Sequence, residues 1–417
     1  MESFEILCGV AAILLAIYYY FTSTFDFWKS RGIQGPQPIP VFGNFKDVML
    51  NKKAAGGYLM EMYNEFKNEP MIGIFARKTP ILIVKDPEFI KDILIKDFTK
   101  FADRGIPVTE KADPLSQHLF ALEPKRWRPL RVKLSPVFTS GKLKEMFSLI
   151  SDCAEHFEQY IGTLVNKNEP IECRELTAKY TTDVIGTCAF GIEMNALSNE
   201  DSEFRRMGRM VFTPTWKNIL RMRLRQSLPW LYEMLSYFLG QTEVTKFFTR
   251  VVVETMNYRE TNNIIRNDFI DMLRELKNNP DKLGDINITD NLIASQAFVF
   301  FLAGFETSST TMSNALYELA LNQEIQDKLR EEIDEVYTKH GNNLTYENIK
   351  KMNYLDKVFK GARFAVYQTK IGLIKILRNY KVETCDKTQI PYVIDPRAFL
   401  LAPKDGIHLR IIKVNRA

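Results

Sequence analysis

The sequence predicts a mainly α-helical protein with a small β region, and three observations carry that reading. The stretch from Trp127 to Leu377 reads as successive helices joined by loops. Inside it, Thr289 to about Leu321 forms one helix of roughly 30 residues, or about 45 Å at the usual rise per residue. Near the N-terminus, two short apolar runs, Met71 to Phe75 and Ile81 to Val84, flank Arg77-Lys78-Thr79-Pro80 and read as a β-hairpin. With 417 residues, 45% hydrophobic and 26% charged, the chain can bury a sizeable core as one large domain or two average ones.

The first element is an apolar segment. From Ile6 to Phe25 no residue is charged, and a helix of that length crosses the roughly 30 Å of a bilayer's hydrocarbon core. A cleaved signal peptide would begin with basic residues and end at a small-residue site. Here Met1-Glu2-Ser3-Phe4-Glu5 is acidic and no such site follows, so residues 1–28 read as an uncleaved membrane anchor. Lys29 and Arg31 just after it put the body on the cytosolic side, and Tyr18 to Tyr20 with Trp28 suit an interfacial aromatic belt. Residues 29–45 form a hinge in which Pro36, Pro38 and Pro40 exclude helix and favour a stiff extended connector. Residues 46–417 form the body.

Further elements follow from local signals. Asp86-Pro87-Glu88 supplies a cap, a proline at the first helical position and an acid in the first turn of a helix from Glu88 to Asp97. Thr289 caps the long helix and Asp290 stands in its first turn. That helix is apolar on most sides, which predicts burial in the body. Its polar Asn291, Ser295 and Gln296 argue against a second membrane span.

Composition excludes several classes. Lys and Arg number 56 against 51 Asp and Glu, a formal net charge of +5, too mild and too evenly spread for nucleic-acid binding. A local basic face for an acidic partner or anionic lipid remains open. Five cysteines (Cys8, Cys153, Cys173, Cys188, Cys385) form no zinc spacing, and the odd count fits a reduced, cytosol-facing chain. The four histidines are isolated, so no metal-ligand set is assigned.

Chemistry is expected where Glu306 and Thr307 follow Ala303-Gly304 in the middle of the long helix. A buried acid needs a purpose or a partner. A glycine lets a flat group approach the backbone, and a threonine turns its hydroxyl onto the helix. These residues read either as a proton-relaying acid and alcohol beside a ligand, or as a core helix whose Glu306 reaches a salt bridge. Spacing alone leaves both open. Trp127 and Arg131, four apart, share a helix face and point an indole N–H and a guanidinium at one place. With Lys125, Arg126 and Lys133 around them, they also read as a solvated basic helix.

Ala303-Gly304-Phe305-Glu306-Thr307-Ser308 resembles the oxygen-activation motif on the central helix of the haem-thiolate monooxygenases, the cytochrome P-450 family. The Pro-rich hinge, Phe101-Ala102-Asp103-Arg104-Gly105 and Tyr346-Glu347-Asn348-Ile349 with Met352-Asn353-Tyr354-Leu355 resemble microsomal members, most of all insect detoxification types. The likeness covers essentially the whole chain. It implies a cytochrome P-450-like helical fold, a haem cofactor, and the endoplasmic reticulum membrane as location. The implied partners are NADPH-cytochrome reductase and a lipophilic substrate or xenobiotic. It implies proton delivery by Glu306 and Thr307, close approach of the haem to Ala303 and Gly304, and a haem propionate held by Trp127 and Arg131. Cations around Arg131 would steer an acidic reductase. Arg221 to Arg225, Leu228 to Leu231 and Trp216 fall where the family places its substrate-access loops, and equally read as an amphipathic helix edge.

The chain departs from the family at Lys360 and Gly361. The family's Phe-x-x-Gly-x-Arg-x-Cys-x-Gly loop, which binds iron, surrounds none of the five cysteines. The Glu-x-x-Arg motif is absent from its place, and Gly361-Ala362-Arg363-Phe364 resembles the helix that follows the family's cysteine. Phe364, Tyr367, Ile371, Ile374 and Leu377 keep helical spacing there. The body is thus expected to lack the Glu-x-x-Arg to cysteine-loop segment and to be incomplete at the haem-ligand loop. The expectations are a haem-deficient, inactive and destabilised product with a void beneath Gly304. The alternative is a non-catalytic truncated isoform or gene model, binding apolar ligands or the reductase at the membrane.

Overall fold

The computed structural model describes residues 2–199, 202–213, 215–240, 242–279, 286–341, 344–359, 363–398, 400 and 402–414; the join at Lys360 and Gly361 lies outside them. Helix predominates, with two small sheets, as the sequence predicts. The chain divides into two compact units, residues 1–103 with 394–404, and residues 104–393 with 405–417.

The first unit begins with the helix Glu2–Thr22. The apolar stretch Phe4–Lys29 is long and apolar enough to cross a membrane, and none of its most apolar window is buried. The hairpin follows as β1 (Met71–Ala76) and β2 (Thr79–Val84), antiparallel, with Ala76 opposite Thr79. Its turn is the two residues Arg77-Lys78, so Thr79 and Pro80 belong to the second strand rather than to the loop expected. Ile72 and Ile74 of β1 pack with Tyr58 and Met62 of the helix Ala55–Glu65. Asp86 caps its helix as expected, accepting from Glu88 N at 2.9 Å and Phe89 N at 3.1 Å. The helix runs Pro87–Lys91 and then widens over Asp92–Lys96.

The Pro-rich hinge is not a free spacer. Gly73 N donates to Gln34 O, Asn44 N to Phe75 O, and Phe75 N to Asn44 Oδ1 at 2.7 Å. Trp28, expected in an interfacial belt, instead donates its indole N–H to Ile74 O at 2.9 Å and lies over Gly73. Gly43 closes the arrangement at φ +62°, where a Cβ would stand 2.2 Å from Phe75 O.

The second unit is organised around the central helix Asp290–Leu321, capped by Thr289, whose hydroxyl accepts from Leu292 N at 3.1 Å. Two thirds of its most apolar window is buried. Its polar N-terminal residues are satisfied by protein: Ser295 Oγ donates to Gln117 O, and Gln296 accepts from Leu119 N and donates to Gln117 O. This is the signature of a core helix rather than a lipid-exposed span. Its main neighbour is the helix Cys173–Ile185, which is almost wholly buried. On its other flank Phe298, Phe301 and Phe305 join Phe204, Phe247 and Phe248, with ring centroids 4.8–6.5 Å apart. Burying each such ring contributes about 1.5–3 kcal/mol, against about 0–1 kcal/mol for an exposed ion pair. The aromatic cluster therefore outweighs the surface charges.

The helix Arg363–Asn379 packs on the same core, with Ile371, Ile374 and Leu377 fully buried. It leads into β4 (Tyr380–Glu383), which pairs with β5 (His408–Lys413), and β5 pairs in turn with the short β3 (Ile171–Glu172). Gln326 of the helix Gln323–Lys339 satisfies both Val382 N and Val382 O on β4, at 2.8 and 2.9 Å.

Replacing Gly43 with Ala strains both the backbone and its contact with β1. The expected loss is about 2–4 kcal/mol, read as a lowered urea midpoint, with hinge residues 34–44 becoming the first sites of proteolysis.

Candidate functional site

The motif residues of the central helix divide between two faces. Ala303 and Thr307, four apart, are exposed, as is Thr311 one turn on. Thr307 Oγ1 donates to Ala303 O at 2.7 Å and Thr311 Oγ1 to Thr307 O at 2.8 Å, so each hydroxyl is turned back onto its own helix. Beyond them a groove of about 530 Å³ is lined by Thr311, Asn314 and Glu318, and by Tyr354 and Phe359 at and just beyond the short helix Asn353–Val358.

Glu306 points the other way. It is buried, and its carboxylate pairs with the Arg174 guanidinium from the helix Cys173–Ile185. Of the two readings that the sequence left open, the geometry is that of the salt bridge. Next to it, Thr177 Oγ1 lies 3.0 Å from Ser309 O, and Thr181 Oγ1 lies 2.9 Å from Phe305 O. Arg174, Thr177 and Thr181 thus form one polar stripe facing the central helix.

Gly304 stands at the boundary between these faces. A Cβ there would meet Ile185 Cδ1 at 2.5 Å, so its absence lets the two helices close. Its carbonyl accepts from Gln368 Nε2 at 2.9 Å, and the same amide donates to Ser308 Oγ. The void expected beneath Gly304 is therefore an open face on one side and a closed contact on the other.

Trp127 and Arg131 lie on the helix Pro124–Leu134, but in different settings. Trp127 is buried, with the Arg104 guanidinium 4.7 Å from its ring centroid. Arg131 is exposed and has no ion pair among the described residues, whereas Arg126 is held by Glu123 and Glu110 at 2.6 and 2.7 Å. The segment before this helix touches the central helix at Ser295 and Gln296. The turn after it does so through Phe138, 5.0 Å from Phe300. The structure brings Ala303, Gly304 and Thr307 onto one stretch of helix. It turns Glu306 away from them, and it keeps Trp127 and Arg131 together on their own helix.

The cysteines are engaged elsewhere. Cys8 is exposed on the N-terminal helix. Cys153 Sγ lies 3.7 Å from Thr187 Oγ1, and burial pushes its thiol up to about 11. Burial likewise raises Cys173 and Cys188. Cys385 Sγ lies against Thr388 Oγ1 and His408 O beside the sheet. Among the described residues no group of three or more His, Cys, Asp or Glu is arranged to hold a metal ion.

Two partners, Arg174 and Gln368, were not found from sequence. The i, i+3, i+7 pattern of Arg174, Thr177 and Thr181 on a buried helix was a readable signal for the first. Gln368 carried none, because its partners, Gly304 O and Ser308 Oγ, lie 64 and 60 residues earlier in the chain.

This helical body, with the Ala303–Ser308 motif on its longest described helix, defines the class of haem monooxygenases. The family model for cytochrome P450 matches residues 33–360, and the chain belongs to that family. Its relatives make it an insect detoxification-type member. It is 36% identical to cytochrome P450 6a8 of Drosophila melanogaster over an aligned span of 499 residues, which covers 97% of this chain and 98% of that relative. It is 32% identical to cytochrome P450 6A1 of Musca domestica, covering 100% and 99%. It is 36% identical to cytochrome P450 6B2 of Helicoverpa armigera, covering 96% and 79%.

Arg174→Met should leave the buried Glu306 carboxylate without a partner and cost about 3–5 kcal/mol. The double variant Arg174→Met with Glu306→Leu should recover most of that loss. Urea midpoints of the two singles and the double would measure the coupling.

Proposed function

We propose that this chain is a shortened cytochrome P450 that keeps the family framework, does not hold haem through a thiolate, and does not turn over substrate alone. The observation that carries this reading is the join at Lys360 and Gly361. The family match stops at residue 360. An aligned span of 499 residues against a chain of 417 leaves at least 82 positions of the Drosophila relative with no counterpart here. The cysteine surroundings support the same reading. Cys153 lies against Thr187, Cys173 against Ile171 O, and Cys385 against Thr388 and His408 O, none of them in a Phe-x-x-Gly-x-Arg-x-Cys-x-Gly surround. The residues present do not fit a haem-thiolate centre.

The remaining motif residues keep the roles that the family gives them as a framework. Ala303 and Gly304 would face a porphyrin, Trp127 and Arg131 would hold its propionate, and Glu306 and Thr307 would relay protons. In this chain Glu306 serves the helix interface, and Thr307 donates to its own backbone. The exposed apolar N-terminal helix supports anchoring in the endoplasmic reticulum membrane with the body on the cytosolic side, consistent with Lys29 and Arg31 after the span. The residual activity would be binding at that membrane, of apolar molecules or of the reductase. The domain scheme is an anchor to residue 28, a hinge to residue 45, and a body lacking the iron loop.

The chain expressed with added haem and reduced under carbon monoxide should give no thiolate-type Soret band; such a band would end this reading. Inserting the corresponding segment of the Drosophila relative between Lys360 and Gly361 should restore it. Deleting residues 2–22 should move the protein from the membrane pellet to the supernatant, and unchanged pelleting would refute the anchor.

A further inference from the structure

A cavity of about 260 Å³ lies where the end of the helix Ser140–Val165 meets β3 and the start of the helix Cys173–Ile185. None of the family motif residues lines it. Part of its wall is apolar, formed by Leu164, Ile171 and Leu176, and the rest carries charge.

Two of the carboxylates in that wall are already committed. Glu172 caps its helix, accepting from Arg174 N, Glu175 N and Ile407 N. Glu175 holds Arg205 through two bonds at 3.1 and 2.6 Å. Glu169 and Lys167 stand exposed at the rim. Lys179 differs from all of these. It is only 7% exposed, it lines the cavity, and its ammonium bonds to the Tyr160 hydroxyl at 3.0 Å but to no carboxylate among the described residues. Its charge also bears on Glu175 and Asp183. Glu175 has Arg205, however, and Asp183 accepts from Ala196 N and Leu197 N. An ammonium carries three donors, and only one is used on Tyr160. The phenol, which accepts that bond, keeps its own O–H to give. A buried charge with spare donors costs free energy unless something completes it.

These donors suit a carboxylate or phosphate oxygen. The three glutamates around the cavity repel a second negative charge, which favours a carboxylate over a phosphate dianion. The volume falls below the roughly 300–1,000 Å³ of drug-sized sites, so the ligand is small. We propose that Lys179 and Tyr160 form the anchoring end of a binding site for a small carboxylate monoanion with a compact apolar body, of the size of benzoate. The ammonium and the phenol O–H both donate to the carboxylate, Leu164, Ile171 and Leu176 seat the body, and Glu175 stays with Arg205.

The full chain in nanodiscs of neutral phosphatidylcholine would be titrated by calorimetry with benzoate, its neutral isostere benzamide, and phenyl phosphate, empty nanodiscs serving as the blank. Benzoate should bind at least about tenfold more tightly than benzamide, the worth of one charge-assisted hydrogen bond. Lys179→Met keeps the length of the side chain without its charge, and should remove that preference. Tyr160→Phe should weaken benzoate about fivefold, the worth of one neutral hydrogen bond. That variant keeps the test decisive if Lys179→Met does not fold. Phenyl phosphate should bind more weakly than benzoate. Equal binding of benzoate and benzamide, a preference that survives in Lys179→Met, benzoate binding unmoved by Tyr160→Phe, or tighter binding of phenyl phosphate would each overturn the proposal. The readout is binding, so it stands apart from whether the chain holds haem.

Discussion

The close approach of the central helix to the helix Cys173–Ile185 is the constraint on which the second unit depends. It is possible because Gly304 has no side chain where Ile185 must pass. Once the backbones are that near, the hydroxyls of Thr177 and Thr181 reach carbonyls of the opposite helix, and Arg174 reaches Glu306. Thr177, Thr181, Arg174 and Glu306 all have partners in this seam, which a low-dielectric interior demands. The aromatic cluster on the other flank then supplies the apolar burial. A larger residue at position 304 would therefore act on the seam as a whole.

The same geometry separates two neighbours in sequence. Residues 306 and 307 are about 100° apart around the helix, so one that faces the seam forces the next toward the opposite side. Glu306 is spent on the interface, and Thr307 stands on an exposed face beside Ala303. An exposed stripe in the middle of the most apolar helix of the unit is unusual for a core element.

Much of this was legible in the sequence because it rests on local signals. Thr289 and Asp86 were readable as caps, the alternation in residues 71–84 as a hairpin, and the polar Ser295 and Gln296 as signs of a protein-buried helix. The motif Ala303–Ser308 identified the family. Three prolines specified an extended, stiff chain in the hinge, but its bonds to β1 were not readable from them. The seat of Trp28 on Gly73 and its bond to Ile74 O were not readable, because they join residues more than 40 positions apart. Arg174 and Gln368 escaped notice because side-chain bonds across sequence distance leave little trace in composition. Residues 216–231 were read from sequence as access loops or a helix edge; the buried Tyr232 hydroxyl beneath them shows only in three dimensions.

The lock between Trp28 and β1 has a mechanical consequence. An indole seated on Gly73, with flanking residues laddered along the same strand, makes the exit of the N-terminal helix a welded joint rather than a swivel. Any tilt of that helix is passed to the hairpin, which turns with it as one rigid lever.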